Sequence, residues 1–526
     1  MTSAKAATPR TSARTPHDRR LVVLAVMCVA LTAVVGMLVS LAVALPGLGR
    51  DLGATEAQLQ WVMNAYGIAF SGLLLPAGAV GDRYGRKGAL LLGLLVFAGA
   101  SVAVVWVDGT GTVIALRAVA GAGAALIMPM TLSIITHAFP AEERGRAVGI
   151  WSGVFGGAGL IGILVAGALL EPFSWRSLFV FNAVLAILAL VTAALLTTTS
   201  RDPNAAPLDV PGAAFSVVGV TALVFAIVEG PERGWSDAVV VAGFVVAAVG
   251  IVLFAWWESR TTHPMLDLRI FRFGGVSGGS LVIVVESLVT FGVFFLLLQY
   301  LQEILGYSAF KAGLGLLPLA IAMIIISPTA PRLGHRYGLA PVIGLGMALI
   351  AAGLAVLSLI DTDSGFWPVA FGGSLIGAGV AYAATPATDA IMAALPTAKQ
   401  GVASALNDVT RELGAVLGIA ILGSIFNSGY RADVGDGTVA LPGPAQDAAR
   451  DSLSGALLVA EKIGGERGGR LVATAREAFA SGMSTALLIG VLIVVLGGLA
   501  SLVLLRRGAN HADRNEQDHD HAPRLP

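Results

Sequence analysis

The chain has 526 residues, of which 56% are hydrophobic and 13% are charged, and its formal net charge is zero. Soluble domains carry about a quarter charged residues, so this composition excludes an ordinary soluble protein. A balanced charge gives no indication of nucleic-acid binding. The only cysteine, Cys28, excludes an intramolecular disulfide.

Fourteen apolar runs along the chain each have about the 20 residues that a bilayer-spanning helix needs. The first run exceeds the roughly 7–15 apolar residues of a signal peptide, so we interpret it as a retained first span. The predicted spans cover residues 21–45, 60–80, 89–107, 111–135, 146–170, 177–198, 211–229, 238–257, 276–301, 312–331, 340–360, 367–392, 401–427 and 482–505.

The basic residues of the connections predict the orientation. The tails and the connections on the same side hold 21 of the 33 lysines and arginines, whereas the short connections on the other side hold four. Cytoplasmic loops carry this excess in membrane proteins. The sequence therefore predicts a multi-pass protein of the cytoplasmic membrane with both termini in the cytoplasm.

A glycine-rich charged hairpin, Gly78-Ala-Val-Gly-Asp82-Arg83-Tyr-Gly85-Arg86-Lys87, lies between spans 2 and 3. A degraded copy, Gly334-His-Arg-Tyr-Gly338, follows between spans 10 and 11. Spans 1–6 thus correspond to spans 9–14, and spans 7 and 8 are inserted between two related halves. Such repeats are typical of secondary transporters. We predict an all-α integral membrane fold with two six-helix bundles and two inserted helices.

The repeat also divides the chain. We expect both polar tails to be disordered, and the polar loop before span 14 to hold helical stretches around 444–463 and 469–481. The predicted regions are a cytoplasmic tail at 1–20, the N-terminal bundle at 21–198, the inserted helices with a cytoplasmic linker at 199–275, the C-terminal bundle at 276–505 with an extracellular loop at 428–481, and a second tail at 506–526.

Five motifs resemble the major facilitator superfamily, in particular its fourteen-helix drug:proton antiporters of the EmrB/QacA type, as found in actinobacteria. They occur in the family's order on the corresponding spans. They are the hairpin at 78–87, Arg117-Ala-Val-Ala-Gly-Ala-Gly123 on span 4, Trp61-Val-Met-Asn64-Ala-Tyr66 on span 2, Ser174-Trp175-Arg176 before span 6, and Asn407-Asp408…Arg411-Glu412-Leu-Gly414 on span 13. The resemblance implies efflux by alternating access.

Three positions depart from the family pattern. The acidic residue that many members carry on the first span is Met37 here, the proline of the span-5 motif is replaced by Ile163, and a common glutamine of span 4 is Ala120. These changes leave the predicted fold intact. They lie at positions that the resemblance associates with specificity for cationic drugs and with the proton site.

Ionisable residues within spans mark candidate functional sites, because they are costly in a bilayer. The resemblance implies that Arg117 helps to relay protons; a snorkelling arginine is the alternative. On span 13, Asp408, Arg411 and Glu412 share one helix face at i,i+3 and i,i+4 spacing. Arg411 can neutralise one carboxylate and leave the other available for proton coupling, or the cluster can be permanently paired and join helices.

Glu286 lies near the middle of span 9 without a sequence-local partner. It is a proton or cation site facing the cavity, or an acid held protonated between helices. We hypothesise that it replaces the acidic group missing at Met37.

The glycines and charges of the hairpin predict a role in gating rather than a chemical role. Its glycines allow a tight turn, and charges on it can bond the two halves in only one access state. A topology anchor is a compatible alternative. The predicted gating residues are Gly78, Asp82, Arg83, Gly85 and Arg86.

A drug cavity would be lined by residues of spans 2, 9 and 13: Asn64, Tyr66, Phe291, Phe295 and Asn407. We expect no catalytic residue, metal or other cofactor, since the sequence lacks a phosphate-binding loop and convergent catalytic groups. The predicted function is proton-coupled efflux of small amphipathic drugs by a monomer. The alternatives are an exporter of one endogenous metabolite, antibiotic or lipid-like substrate, and a sensor that binds ligand without transport.

Overall fold

The computed structural model describes residues 17–54, 56–198, 207–395, 399–438 and 441–520, and all regular structure in these ranges is helical. The α-helices are α1 His17–Leu52, α2 Glu56–Tyr84, α3 Arg86–Val104, α4 Thr110–Ala138, α5 Ala141–Leu170, α6 Arg176–Leu196, α7 Val210–Arg233, α8 Ala238–Glu258, α9 Gly274–Gln299, α10 Ala309–Gly315, α11 Leu317–Ile326, α12 Ala330–Tyr337, α13 Leu339–Ser358, α14 Phe366–Ala393, α15 Gln400–Thr438, α16 Gly443–Asp451, α17 Leu453–Ile463 and α18 Gly465–Asp520.

Fourteen helical segments of the described chain are long and apolar enough to cross a membrane, which confirms the predicted number of spans. The tenth span is divided into α10, α11 and α12. Prolines at 318, 328 and 331 lie just after the breaks between these helical pieces. Proline interrupts a helix because it removes a backbone donor and clashes with the preceding turn. A π-helix, Tyr300–Ile304, extends α9.

The two halves repeat one another in backbone conformation. We call the side of the protein with the α2–α3 turn the hairpin face. Gly85 in that turn and Gly338, 253 residues later before α13, both have a positive φ, as do Gly53 and Gly306 at the same separation. Only glycine adopts this conformation without strain. The sequence repeat is therefore a structural repeat.

Helix contacts repeat as well. Gly123 of α4 approaches α3 so closely that a methyl group on it would lie 2.8 Å from the Phe97 nitrogen. Its counterpart Gly379 of α14 approaches α13, where the equivalent distance to the Ile350 nitrogen is 2.7 Å. Small residues allow such backbone contact between membrane helices. Each half thus packs its fourth and third spans in the same way.

The inserted helices form a pair beside the junction of the halves. α7 contacts α8, α2 and α15. The Gly219 and Gly250 backbones meet between α7 and α8. Asp209 caps α7 by accepting a 2.9 Å hydrogen bond from the Gly212 nitrogen, and the Trp257 indole of α8 donates to the same carboxylate. Asp209 therefore links the two inserted helices.

The helices extend beyond two predicted boundaries. α15 continues past the predicted end of its span at 427 to Thr438, and α18 begins at Gly465, before the predicted span 14. Between them, α16 and α17 form a hairpin in the loop where helical stretches are predicted. Similarly, α18 continues past the predicted start of a disordered tail at 506 and reaches Asp520. The predicted tail residues 1–16 and 521–526 lie outside the described ranges.

Candidate functional site

A buried ion pair joins α9 to α15 near the middle of the protein. The Arg411 Nη1 atom lies 3.0 Å from Glu286 Oε1, and both side chains are almost fully buried. Ser287 donates a hydrogen bond to the same Glu286 oxygen. Glu286, which has no partner nearby in sequence, thus finds one through helix packing, and Arg411 pairs outside its own helix.

Asp408 consequently has no ion pair with any described residue, although Arg411 lies three positions later on the same helix. Its Oδ1 atom accepts a 3.2 Å hydrogen bond from the Asn407 side chain, whose own oxygen accepts one of 2.9 Å from Thr388 of α14. Its Oδ2 atom is buried and has no partner among the described residues. Burial of a carboxylate that lacks an ion pair is costly, which marks Asp408 as a candidate functional residue.

Glu412 is the second carboxylate on this side of α15 without an ion pair in the described part of the chain. Its neighbour is Ser71 of α2, which belongs to the other half. Tyr66 of α2 lies within electrostatic range of Glu412. At 1.5 Å per residue, Glu412 is roughly 18 Å along α15 from Gln400, and Asp408 roughly 12 Å. Both carboxylates lie at membrane depth.

Arg117 of α4 is fully buried. Its Nε atom donates a 2.9 Å hydrogen bond to the Val62 carbonyl of α2, and its guanidinium lies 4.4 Å from the centre of the Tyr66 ring. Neither Nη atom has a hydrogen-bond partner among the described residues. The side chain therefore points into the bundle and does not reach for an interface, as a snorkelling arginine would.

A narrow cavity lies between the halves, and Asp408, Arg411 and Glu412 reach it together with apolar and aromatic side chains. About 20 Å³ of it is open to the centre of a water molecule, enough for one or two waters. Drug-sized sites occupy about 300–1,000 Å³. The remaining lining residues are Val34, Val35, Leu38, Tyr66, Phe70, Met128, Phe155 and Phe291.

Three of the residues predicted to line a cavity do not line this one. Phe295 lies one turn beyond Phe291 and packs against Gly423 of α15. Asn407 is engaged by Thr388 and Asp408. Asn64 is half-buried on α2 outside the cavity lining. Spacing along one helix could not show which side of it meets the other half, so only Tyr66 and Phe291 of the predicted set remain.

The hairpin joins the two halves through Asp82. Its carboxylate accepts hydrogen bonds of 2.9 Å from the Gly401 nitrogen and 3.0 Å from the Val402 nitrogen at the start of α15. It also forms a 2.8 Å ion pair with Arg86. The first amides of a helix lack intrahelical partners and attract negative charge. Asp82 thus caps a helix of the opposite half.

The other hairpin residues support this contact in different ways. Gly78 meets the Gly401 backbone so closely that a methyl group on it would lie 2.5 Å from the Gly401 oxygen. Gly85 has a φ of 110° and turns the chain between α2 and α3. Arg83 lies beside the Tyr84 ring. Lys87 donates to carbonyl groups at the end of α6, which anchors the hairpin within its own half.

Sequence reasoning missed an aromatic pair on α5. Phe155 stacks against Trp151 and also lies beneath Arg411, whose guanidinium is 4.6 Å from the ring centre. Trp151 donates a 3.0 Å hydrogen bond to Thr131 of α4. The signal was available in the repeat, because Trp151 and Phe155 precede Asn407 and Arg411 by the same 256 residues.

Glycines on α5 face the tenth span of the other half. A methyl group on Gly149 would lie 2.7 Å from the Ser327 oxygen, and one on Gly153 would lie 3.2 Å from the Ile324 Cα atom. Because neither glycine carries a side chain, the α5 backbone contacts the tenth span directly. The two halves therefore meet along a surface with few projecting side chains.

Comparison with known proteins places this arrangement in a family. Residues 22–419 match the model of the Major Facilitator Superfamily. The chain is 31% identical over 501 residues to the "Multidrug efflux pump LfrA" of Mycolicibacterium smegmatis, covering 95% of this chain and 99% of that protein. It is 30% identical to the "Tetracenomycin C resistance and export protein" of Streptomyces glaucescens, covering 94% and 92%.

Solved structures agree on the fold. The proton:xylose symporter XylE superposes with a TM-score of 0.59 at 14% identity, covering 93% of this chain and 96% of the symporter. The human organic anion transporter MFSD10 gives the same TM-score and identity, covering 91% and 100%. With its fourteen spans, its repeated halves and this family match, the chain belongs to the major facilitator superfamily of membrane transporters.

Proposed function

We propose that the protein exports small amphipathic organic molecules from the cytoplasm in exchange for protons. The observation that carries the proposal is the distribution of charge around Arg411. Because this arginine pairs with Glu286, neither Asp408 nor Glu412, both at membrane depth, forms an ion pair with a described residue. Each can hold a proton when the site is closed and release it when water or a cationic substrate arrives.

The hairpin face would then be cytoplasmic, because the tails and the arginine-rich connections lie on that side. In the present conformation, Asp82 seals this face by bonding the first amides of α15. The central cavity admits only water. A substrate of drug size requires the halves to separate, as alternating access demands.

Four proposed roles follow from the contacts. Asp408 and Glu412 carry the exchanged protons, Arg117 and Tyr66 provide a polar connection near Glu412, and Asp82 with Gly78 gates the hairpin face. Glu286 holds Arg411 away from Asp408. The earlier hypothesis that Glu286 replaces the acid missing at Met37 predicts that Glu286→Gln abolishes coupled transport.

The names of the relatives support export of drugs or antibiotics. One is a multidrug pump and another is named for resistance to a single antibiotic. We therefore keep export of one metabolite or antibiotic as the second candidate. A monomer in the cytoplasmic membrane is the proposed working form.

Proteoliposomes test the proposal. Purified protein with an imposed pH gradient should move protons when a lipophilic cation such as ethidium is added. Asp408→Asn and Glu412→Gln should each reduce this movement at least tenfold, whereas Glu171→Gln, which alters an exposed carboxylate beyond α5, should not. Ethidium binding without proton movement in the wild type would contradict proton coupling and leave a facilitator or a sensor.

A further inference from the structure

The strongest unexplained feature is the contact between Arg411 and Phe155, because it joins the charged network of one half to an apolar helix of the other. Arg411 belongs to α15 in the C-terminal half, and Phe155 belongs to α5 in the N-terminal half. The guanidinium carbon lies 4.6 Å from the ring centre. At this distance an aromatic face attracts a cation, and more strongly where water is excluded.

Phe155 is held in place by its own half. Its ring stacks against Trp151 at 6.1 Å between centroids, and Trp151 is fixed by the hydrogen bond to Thr131. The corresponding positions in the C-terminal half hold Thr388, Asn407 and Arg411, at separations of 256 or 257 residues. The repeat therefore places an aromatic support directly opposite a charged network.

Arg411 is otherwise weakly restrained. Its one short hydrogen bond goes to Glu286, its contact with Thr388 is 3.4 Å, and its Nε atom has no partner among the described residues. Asp408 lies three residues earlier on the same helix, with one carboxylate oxygen free of hydrogen bonds to described residues. Side chains at this spacing can meet. Arg411 thus has a second acid within reach.

We propose that Phe155 is a positioning residue that makes the proton affinity of Asp408 depend on the access state. In the present conformation the ring holds Arg411 beside Glu286, and Asp408 carries a proton. When the halves separate, α5 withdraws the ring and Arg411 turns toward Asp408. The charged guanidinium then stabilises the carboxylate, and the proton leaves Asp408 for water.

The charged surroundings are compatible with this exchange. The titratable groups near Arg411 and Asp408 are Glu286 from α9, Glu412 from α15, and Tyr66 from α2, which lines the same cavity. Arg117 of α4 lies behind the Tyr66 ring. Among the contacts described, α14 contributes the hydroxyl of Thr388 and α5 the two aromatic rings. Removing the ring therefore changes no charge in the network.

This inference rests on the proposed proton exchange, and linkage gives its expected size. A cation–ring contact made in one access state alone should change the relative proton affinity of the two states by about 2- to 30-fold. Phe155→Leu should therefore move fewer protons for each substrate molecule that binds, whatever its effect on substrate affinity. Phe155→Tyr, which keeps the ring, should restore the ratio.

The experiment measures ethidium binding by fluorescence and proton release in weakly buffered detergent solution, from pH 5.5 to 8.5. Phe291→Leu is the matched control, because Phe291 lines the same cavity and does not stack on Arg411. We expect Phe155→Leu to lower the protons released per bound ethidium at least twofold and to shift the pH of half-maximal release. Phe291→Leu should alter ethidium affinity without changing that ratio.

The outcomes separate the two proposals. If the wild type releases protons but Phe155→Leu shows the same ratio and the same pH profile, the role of Phe155 is overturned while the proposed function is not. Equal losses of the ratio in Phe155→Leu and Phe291→Leu would also overturn it, because any aromatic lining residue would then suffice. No proton release from the wild type on binding ethidium would overturn the proposed function and this inference together.

Discussion

Replacing Asp82 with asparagine should open the hairpin face. The carboxylate accepts two hydrogen bonds from the first amides of α15, and both cross between the halves. Hydrogen bonds to charged groups contribute about 1.5–3 kcal/mol each. Asparagine keeps one neutral acceptor, which is worth about 0.5–1.5 kcal/mol. The net loss is therefore about 2.5–4.5 kcal/mol, confined to the conformation in which this face is closed.

Such a loss has a measurable effect on populations. A free energy of about 2.5–4.5 kcal/mol corresponds to a change of about 70- to 2,000-fold in the equilibrium between access states. A protein that is about 99% closed at the hairpin face would become only about 5–60% closed. A population change of this size would be detectable as a second component in the distribution of distances between two spin labels.

The assay is a double electron–electron resonance measurement in lipid nanodiscs. Spin labels would be attached through Gly88→Cys and Arg336→Cys, which are exposed at the hairpin face of opposite halves, in a background with Cys28→Ala. Asp82→Asn should add a population with a longer distance.

The control substitution is Asp51→Asn, because Asp51 bonds Trp175 within its own half. It removes a carboxylate of the same type without touching the junction. Identical distance distributions for Asp51→Asn and Asp82→Asn would refute the assignment of Asp82 as a cross-half lock.

Two further predictions concern packing and charge at the same junction. Gly401→Ala should weaken the closed hairpin face, because the new methyl group would lie 2.6 Å from the Gly78 oxygen. The same label pair should report opening for Gly401→Ala but not for Gly99→Ala on α3, where the added methyl group would meet open space. Arg411→Leu should lower the thermal transition temperature in detergent more than Glu286→Gln does. Removing either partner of a buried pair costs about 3–5 kcal/mol, but after Glu286→Gln the arginine still has Asp408 within reach, three residues earlier on the same helix. Equal shifts for both variants would contradict this second partner for Arg411.

The sequence predicts the spans and the repeat well because both depend on local signals. Long apolar runs are sufficient to count helices, and glycines at equal separations mark the turns of both halves. Gly85 and Gly338 illustrate this, since a positive φ at each needs glycine whatever surrounds it. The sequence also identified the hairpin as the gate candidate from its charge and glycine content.

The partners of the buried charges could not be predicted in the same way. Helical spacing suggested that Arg411 serves an acid on its own helix, but packing brings it to Glu286 of α9. That choice depends on how α9 and α15 are rotated against each other, which no local pattern encodes. Likewise, Phe155 is an apolar residue in an apolar span, and only its repeat position opposite Arg411 distinguishes it.

The central claim is that substrate and protons exchange at Asp408 and Glu412, and the most direct test is proton release on substrate binding in weakly buffered solution. A pH electrode or indicator dye would record the change when ethidium is added to wild type, Asp408→Asn, Glu412→Gln and Glu171→Gln. We predict release from the wild type and Glu171→Gln, and at least a tenfold smaller release from one or both of the other variants. Undiminished release from Asp408→Asn and Glu412→Gln would contradict the assignment of the proton to these carboxylates.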